Sequence, residues 1–246
     1  GGCGVVYLAE QLTPVKRKVA LKIIRLGMDT EHVIERFSME REALALMDHP
    51  NIARVLDAGS TGSGRPYFVM EYVEGERITT FCDERKLDIA QRLDLFIQVC
   101  NAIQHAHLKG VVHRDIKPSN VLVSDSNGQN TPKVIDFGIA KAMDPQAFTR
   151  PVETSHDQLF GTPVYMSPEQ IDLTGLDVDT RSDIYSLGVL LHELLTGRTP
   201  FDSKELEAGG LESMRRIICE REVPRPSAVL AALPPGDLLA IARQQR

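Results

Sequence analysis

VVHRDIKPSNVLV, residues 111–123, sets a cluster of polar side chains between two apolar runs. His113, Arg114, Asp115, Lys117 and Asn120 fall in one short irregular loop whose flanks are apolar enough to be buried. Such loops seldom hold so many polar groups without a task, because each group needs a partner once it leaves water. Asp115 can orient a hydroxyl or accept its proton. Lys117 can neutralise a transferring phosphoryl group, and Asn120 can offer its amide oxygen to a divalent metal. Downstream, PKVIDFG places Asp136 sixteen residues after Asn120, with VVHRDIKPSNVLVS and PKVIDFG read as short strands around a turn at SDSNG, residues 124–128. A hairpin returns its two ends to one place, so Asn120 and Asp136 can share one metal cluster. At about 5% per residue type, H-R-D-x-x-x-x-N arises by chance in a chain of this length roughly once in a thousand sequences, and the Asp-Phe-Gly triplet multiplies that improbability.

Outward from this loop the chain divides in two. Before it, VVYLAE (5–10), the polar TPVKRK and VALKIIRL (19–26) form a hairpin pattern. A helical run, ERFSMEREALALM, follows, and then short runs around ARVLDAG and PYFVMEYV separated by STGSGR. After Gly75 the pattern turns helical. Leu93, Phe96, Ile97, Cys100, Ile103 and His107 recur at three- and four-residue steps and predict a buried helix face. A second helix is expected over 183–195, ended by the Gly and Pro of TGRTPF. The tail, VPRPSAVLAALPPGD, is Pro-rich and leads into a helical stub, GDLLAIARQQR. The expectation is an α+β chain with a small antiparallel β-rich lobe carrying one helix, a larger mainly helical lobe, and a join near 71–75.

The first lobe carries chemistry of its own. Glycines in GGCGVV let backbone N–H groups approach a phosphate without interference from a Cβ, although an ordinary tight turn uses the same residues. In VALK, Ala20 and Lys22 share a strand face. A small residue beside a lysine suits a flat base with the ammonium on its phosphates; a snorkelling surface lysine is the plainer reading. Val33, Phe37, Leu44 and Met47 define the inner face of the helical run, and Glu40 falls on that face. A carboxylate there is costly unless paired, and Lys22 is an available partner; helix curvature leaving Glu40 at the solvent edge is the alternative.

Composition bounds the rest. The 246 residues correspond to one or two domains at about 150 residues each. Acids outnumber bases, 34 to 28, which removes the general electrostatic case for nucleic-acid or anionic-membrane binding. No apolar stretch approaches the roughly 20 residues that span a bilayer, and no signal peptide is visible. Cys3, Cys82, Cys100 and Cys219 form no C-x-x-C pair, so a reducing, cytoplasmic setting is expected. The opening GGCGVVYLAE lacks an initiating Met and a preceding strand, and reads as a piece of a longer protein. His105 and His107 do not share a helix face, which argues against a metal site there.

Taken in order, GGCGVV, VALK, Glu40, HRDIKPSN, IDFG, GTPVYMSPE and DIYSLG resemble the signature set of the eukaryotic-type protein kinases, in particular the bacterial serine/threonine kinases of that family. The resemblance covers practically the whole chain. It implies one catalytic domain over 1–246, truncated at both ends, with N-lobe and hinge at 1–73 and C-lobe at 74–246. It implies transfer of the γ-phosphoryl of ATP, with Mg²⁺ (or Mn²⁺), to Ser or Thr hydroxyls of protein substrates. By the same resemblance Gly1, Gly2 and Gly4 match the later part of the Gly-rich loop, and Val6 the valine that roofs the adenine beside Ala20. Lys22 matches the lysine on the α/β-phosphates, Glu40 its helix partner, Asp115 the catalytic base, and Asn120 and Asp136 the metal ligands. Met70 falls at the gatekeeper, Glu71 to Val73 at the hinge, and Leu122 at the floor of the adenine pocket.

Lys117 and Thr162 resemble the serine/threonine enzymes, with the Thr162 hydroxyl bridging Asp115 and Lys117. His113 reads as a packed ring next to Phe137, and Asp183 as the buried aspartate that holds the catalytic-loop backbone. Arg114 resembles the arginine of kinases whose activation loop is ordered by a phosphate, for which Thr154, Ser155 and, less well placed, Thr149 are candidates; Asp157 offers a permanent charge instead. Autophosphorylation, and a kinase dimer that performs it in trans, follow from the same likeness. Many such kinases carry a membrane span outside this segment. The sequence departs from the family where the first strand and first glycine are absent, and where no arginine appears in the expected form for Glu169; Arg243 and Arg246 do not match. The competing classes are a scaffold built on a pseudokinase, against which Lys22, Asp115 and Asp136 are all present, and a small-molecule kinase, against which GTPVYMSPE stands.

Overall fold

The computed structural model describes residues 4–24, 44, 46–126, 128–137, 163–171, 178–234, 236 and 241. Four antiparallel strands make the first sheet: β1 (Gly4–Gln11), β2 (Arg17–Ile24), β3 (Val55–Ser60) and β4 (Pro66–Glu71), in the order β1-β2-β4-β3. The register sets Val6 opposite Lys22 and Lys22 opposite Phe68, and sets Leu8, Ala20 and Met70 in the next row. Paired residues share a face, so these six side chains line one side of the sheet. Phe68 and Met70 are buried, while Val6 and Leu8 at the edge stay exposed.

The second sheet is smaller, β5 (Glu76–Arg77), β6 (Val121–Ser126) and β7 (Gln129–Val134). Gly75 precedes it because a Cβ there would meet the Val123 carbonyl oxygen at 2.8 Å. The sheets are stitched together ahead of β3. Ile52 bridges Val134 in parallel, the Ala53 amide donates to the Val134 carbonyl at 2.9 Å, and the Val134 amide donates to the Asn51 carbonyl at 2.8 Å.

Helices α1 (Ile78–Glu84), α2 (Ile89–Leu108), α3 (Pro168–Ile171), α4 (Thr180–Thr196), α5 (Ser203–Ala208), α6 (Gly210–Glu220) and α7 (Pro226–Ala231) build the second lobe. Their starts follow local chemistry. Asp88 and Gln91 form a capping box at α2, and Asp179 and Asp202 accept the first free amides of α4 and α5. Gly197, at φ +69°, ends α4 where the sequence predicts a stop. One core runs from Ile24, Phe68 and Met70 through Val99, Ile103 and Val134 to Leu190 and Leu194, so both lobes share it. Each fully buried side chain of this kind contributes roughly 1.5–3 kcal/mol. Arg92 lies inside it, 2% exposed, yet satisfied by Leu87 O at 2.9 Å, Leu194 O at 3.2 Å and Asp83 at 2.8 Å, tying α1, α2 and α4 together.

Several sequence expectations shift. The buried face of α2 is Arg92, Leu95, Val99, Ala102, Ile103 and Ala106, rotated from the predicted stripe, and Ile97 is 54% exposed. The helix carries apolar residues on most sides, with Phe96 and Cys100 packing partly against the core, so periodicity alone selected the wrong sector. Residues 111–117 are irregular and the strand begins only at Val121, while its partner begins at Gln129. The turn is therefore tighter than 124–128. Strand β2 starts at Arg17, two residues early, and the Pro-rich tail holds α7. Of the predicted inner face of the first helix, Leu44 and Met47 are buried; Val33, Phe37 and Glu40 lie outside the described residues.

Candidate active site

The loop from His113 to Asn120 is held by its own polar atoms and by α4. Asp183, 0% exposed, accepts from the amides of His113 and Arg114 at 2.8 Å each and from His107 Nε2 at 2.7 Å. Burial pushes its carboxyl up, but the His107 hydrogen bond, the imidazole of His113 and the two amides outweigh it and hold the group below the usual carboxylate range. His113 packs against Phe137 with ring centroids 4.6 Å apart, and burial holds its imidazole below the ordinary histidine value despite the carboxylates around it. The sequence places His107 on a helix face and argues against a metal site with His105, but does not give its partner. A polar ring on an otherwise apolar stripe needs a partner, and that requirement was the available signal.

Within the loop, Lys117 Nζ lies 2.9 Å from Asp115 Oδ2. The Asn120 amide nitrogen donates to the Asp115 carbonyl at 2.8 Å and to its Oδ2 at 3.0 Å. That orientation commits the NH₂ of Asn120 and leaves Oδ1 as the atom it can give to a cation. The Ile135 amide donates to the Asn120 carbonyl at 2.9 Å, so the chain entering Asp136 runs beside Asn120 as the hairpin requires. Asp136 has φ +58° and pairs with the ammonium of Lys22. A carboxylate and an amide oxygen are the hard donors that Mg²⁺ takes, so these two residues fit such an ion.

The face of the first sheet supplies the remainder. Lys22 is buried on β2, with Ala20 and Met70 in the adjoining row. Gly4 allows β1 to close on β2, since a Cβ there would come 2.6 Å from the Ile23 carbonyl oxygen. The exposed Val6 stands on the same face as Lys22. Leu122, partly buried, alternates with the buried Val121 and Val123 and so projects to the opposite side of β6. Glu71 ends β4, and Val73 follows in the connection to β5. Lys133 of β7 pairs with Glu71, a contact absent from the sequence reading because nothing in spacing links the two. Gly1, Gly2, Glu40, Thr149, Thr154, Ser155, Asp157, Thr162, Arg243 and Arg246 lie outside the described residues. Glu169 accepts a hydrogen bond from the Ser182 hydroxyl.

A two-lobed chain with an HRD loop held by a buried aspartate, facing a lysine on a four-stranded sheet, defines the class. The pattern of the protein kinase domain family matches residues 1–237, and the chain belongs to that family. Among its relatives are the serine/threonine-protein kinases pkn2 and Pkn1 of Myxococcus xanthus. They are 39% and 38% identical over 82% and 95% of this chain, which spans 24% and 32% of their lengths. A probable serine/threonine-protein kinase PknB of Bifidobacterium longum is 38% identical over 95% of this chain and 33% of its own. The chain thus spans about a quarter to a third of these relatives. The crystal structure of the PknI kinase domain of Mycobacterium tuberculosis, a Cys-to-Ala mutant, superposes with a TM-score of 0.64 at 26% identity, covering 99% of this chain and 83% of that one. Among the described residues, no helix is long and apolar enough to cross a membrane.

Proposed function

We propose that this chain is the catalytic segment of a serine/threonine protein kinase, transferring the γ-phosphoryl of ATP to Ser or Thr hydroxyls of proteins, with 1–73 as N-lobe and hinge and 74–246 as C-lobe. The observation that carries the reading is the clustering of Asp115, Lys117 and Asn120 on one short loop, with the Lys22–Asp136 pair joining the first sheet to the end of the hairpin. Asp115 orients the acceptor hydroxyl and takes its proton. Lys117, already on Asp115, supplies positive charge where the phosphoryl group passes. Lys22 holds the α/β-phosphates with Glu40 as its further partner, and Asn120 and Asp136 hold Mg²⁺. When bound, that ion offsets charge on the phosphates. Val6, Ala20, Met70 and Leu122 enclose the adenine, the backbone of Glu71 to Val73 hydrogen-bonds it, and Gly1, Gly2 and Gly4 cover the phosphates. Because positioning and electrostatics carry this chemistry, a preformed loop is what the reaction needs most.

Autophosphorylation of Thr154 or Ser155, in trans within a kinase dimer, belongs to the same reading. The test is incubation of the full-length protein with ATP and Mg²⁺, read by phosphosite mass spectrometry beside an Asp115→Asn control. Phosphoserine and phosphothreonine that appear in the wild type and vanish in the control support the proposal. Their absence from an otherwise folded wild type, or their persistence in the control, removes it.

A further inference from the structure

Gln170 uses both ends of one carboxamide. The residue is buried in α3, 9% exposed, within a segment whose Val164, Tyr165 and Met166 are also buried. Its Oε1 accepts from the Ser167 amide at 3.0 Å and lies 3.3 Å from the Ser167 hydroxyl, closing the first turn of the helix. Its Nε2 leaves the helix altogether and donates to the Arg114 carbonyl at 2.8 Å. A glutamate would close the turn equally well. Unlike an ionised carboxylate, the amide also has a hydrogen to donate across to the loop.

The acceptor is a sensitive one. Arg114 has φ +63°, in the left-handed region that a residue with a Cβ enters only when its surroundings impose it. Its N–H is gripped by Asp183 Oδ1 from α4, and its C=O by Gln170 from α3. The Arg114 carbonyl and the Asp115 amide share one peptide plane, and the amide edge of that plane donates to His113 Nδ1 at 3.2 Å. Holding the carbonyl therefore fixes the tilt of the plane from which the Asp115 side chain departs.

We propose that Gln170 is a positioning residue for phosphoryl transfer, tying the 163–171 segment to the backbone that carries Asp115. The inference rests on the reading of Asp115 as the catalytic base. It makes the orientation of that base depend on the seating of a segment distant from it in the chain, through the hydrogen bond that Gln170 donates.

Two substitutions separate this role from a merely structural one. Gln170→Glu keeps the bond from Ser167 and loses the donor to Arg114, whereas Gln170→Met loses both. In the full-length protein, with dephosphorylated casein as acceptor, kcat should fall about tenfold in both variants while KM for ATP stays near wild type, and the buried carboxylate of Gln170→Glu lowers its melting temperature as well. If Gln170→Glu matches wild type in kcat and only Gln170→Met fails, the residue caps a helix and the proposal falls. It falls equally if KM for ATP rises as far as kcat falls, the mark of a general loss of structure. An Asp115→Asn control distinguishes the underlying reading: full turnover in that control overturns the base assignment, whereas an inactive control beside a normal Gln170→Glu overturns the positioning role alone.

Discussion

Lys133 of β7 closes on both carboxylate oxygens of Glu71, at 2.7 and 2.9 Å, and so ties the last residue of β4 to the hairpin of the other lobe. The side chains are 22% and 32% exposed, so solvent screens the pair and its worth to stability is about 0–1 kcal/mol. Its consequence lies in the backbone that follows Glu71. Lys133→Met should leave the melting temperature nearly unchanged and weaken ATP binding about threefold, measured by titration calorimetry. Unchanged affinity would show that the pair does not steady the adenine-facing connection.

Asp183 should be the costliest carboxylate to remove. Asp183→Ala strips the partner from His107 and from two loop amides in a dry interior, an expected loss of about 3–5 kcal/mol in urea unfolding. Its pKa is depressed in the folded chain, so its contribution is fully present above the unfolded value of about 3.9 and is lost as pH falls through the lower folded value. Wild type and Asp183→Asn should therefore converge in stability only in strong acid. A gap that stays constant across that range would contradict the assignment.

Glu193 runs the other way. Burial raises its carboxyl, the hydrogen bond from the Tyr165 hydroxyl pulls it back, and the nearby Asp83 pushes it up again, leaving it above the ordinary glutamate value. The folded chain then holds a proton that the unfolded chain has released, and stability declines as pH rises through that interval. Glu193→Gln keeps an acceptor for Tyr165 and removes the charge. It should raise the melting temperature at about pH 8, with the gain disappearing near about pH 4, where the unfolded glutamate also binds its proton. A gain of equal size at both pH values would show that charge is not its cause.

Asp136 and Lys22 touch but should fail differently. Asp136→Ala should abolish the tightening of ATP binding by Mg²⁺, seen by titrating a fluorescent nucleotide with and without the ion. Lys22→Met should leave most of that tightening and lower turnover by about a hundredfold or more. Near-normal Mg²⁺ dependence in Asp136→Ala would remove it from the metal site.

The two-lobe plan was legible because its signals are local. Strands β1 to β4 are short apolar runs set off by turn residues, and Gly197 stops α4 at the Gly of TGRTPF. The proximity of Asn120 to the approach of Asp136 was legible too, since hairpin geometry demands it. What escaped were contacts made across space between residues that no period connects: Lys133 with Glu71, Gln170 with Arg114, His107 with Asp183. The buried face of α2 escaped for a different reason. A helix enclosed on several sides carries no clear stripe, and an internal Arg92 cannot be foreseen without the two carbonyls that receive it.

Among the described residues, the backbones of the two lobes meet at two places, at the parallel bridge from Ile52 to Val134 and in the covalent connection after Glu71. A body attached at two points behaves like a door on two hinges: it swings about the line through them and resists sliding or tilting off it. Val134 stands two residues before Asp136, so the pivot passes close to one partner of the Lys22–Asp136 pair, while β1 rides at the free edge of its sheet. On the proposed function, opening the cleft carries β1 through a wide arc while barely displacing the acidic end, which lets a nucleotide exchange without dismantling the floor on which it rests.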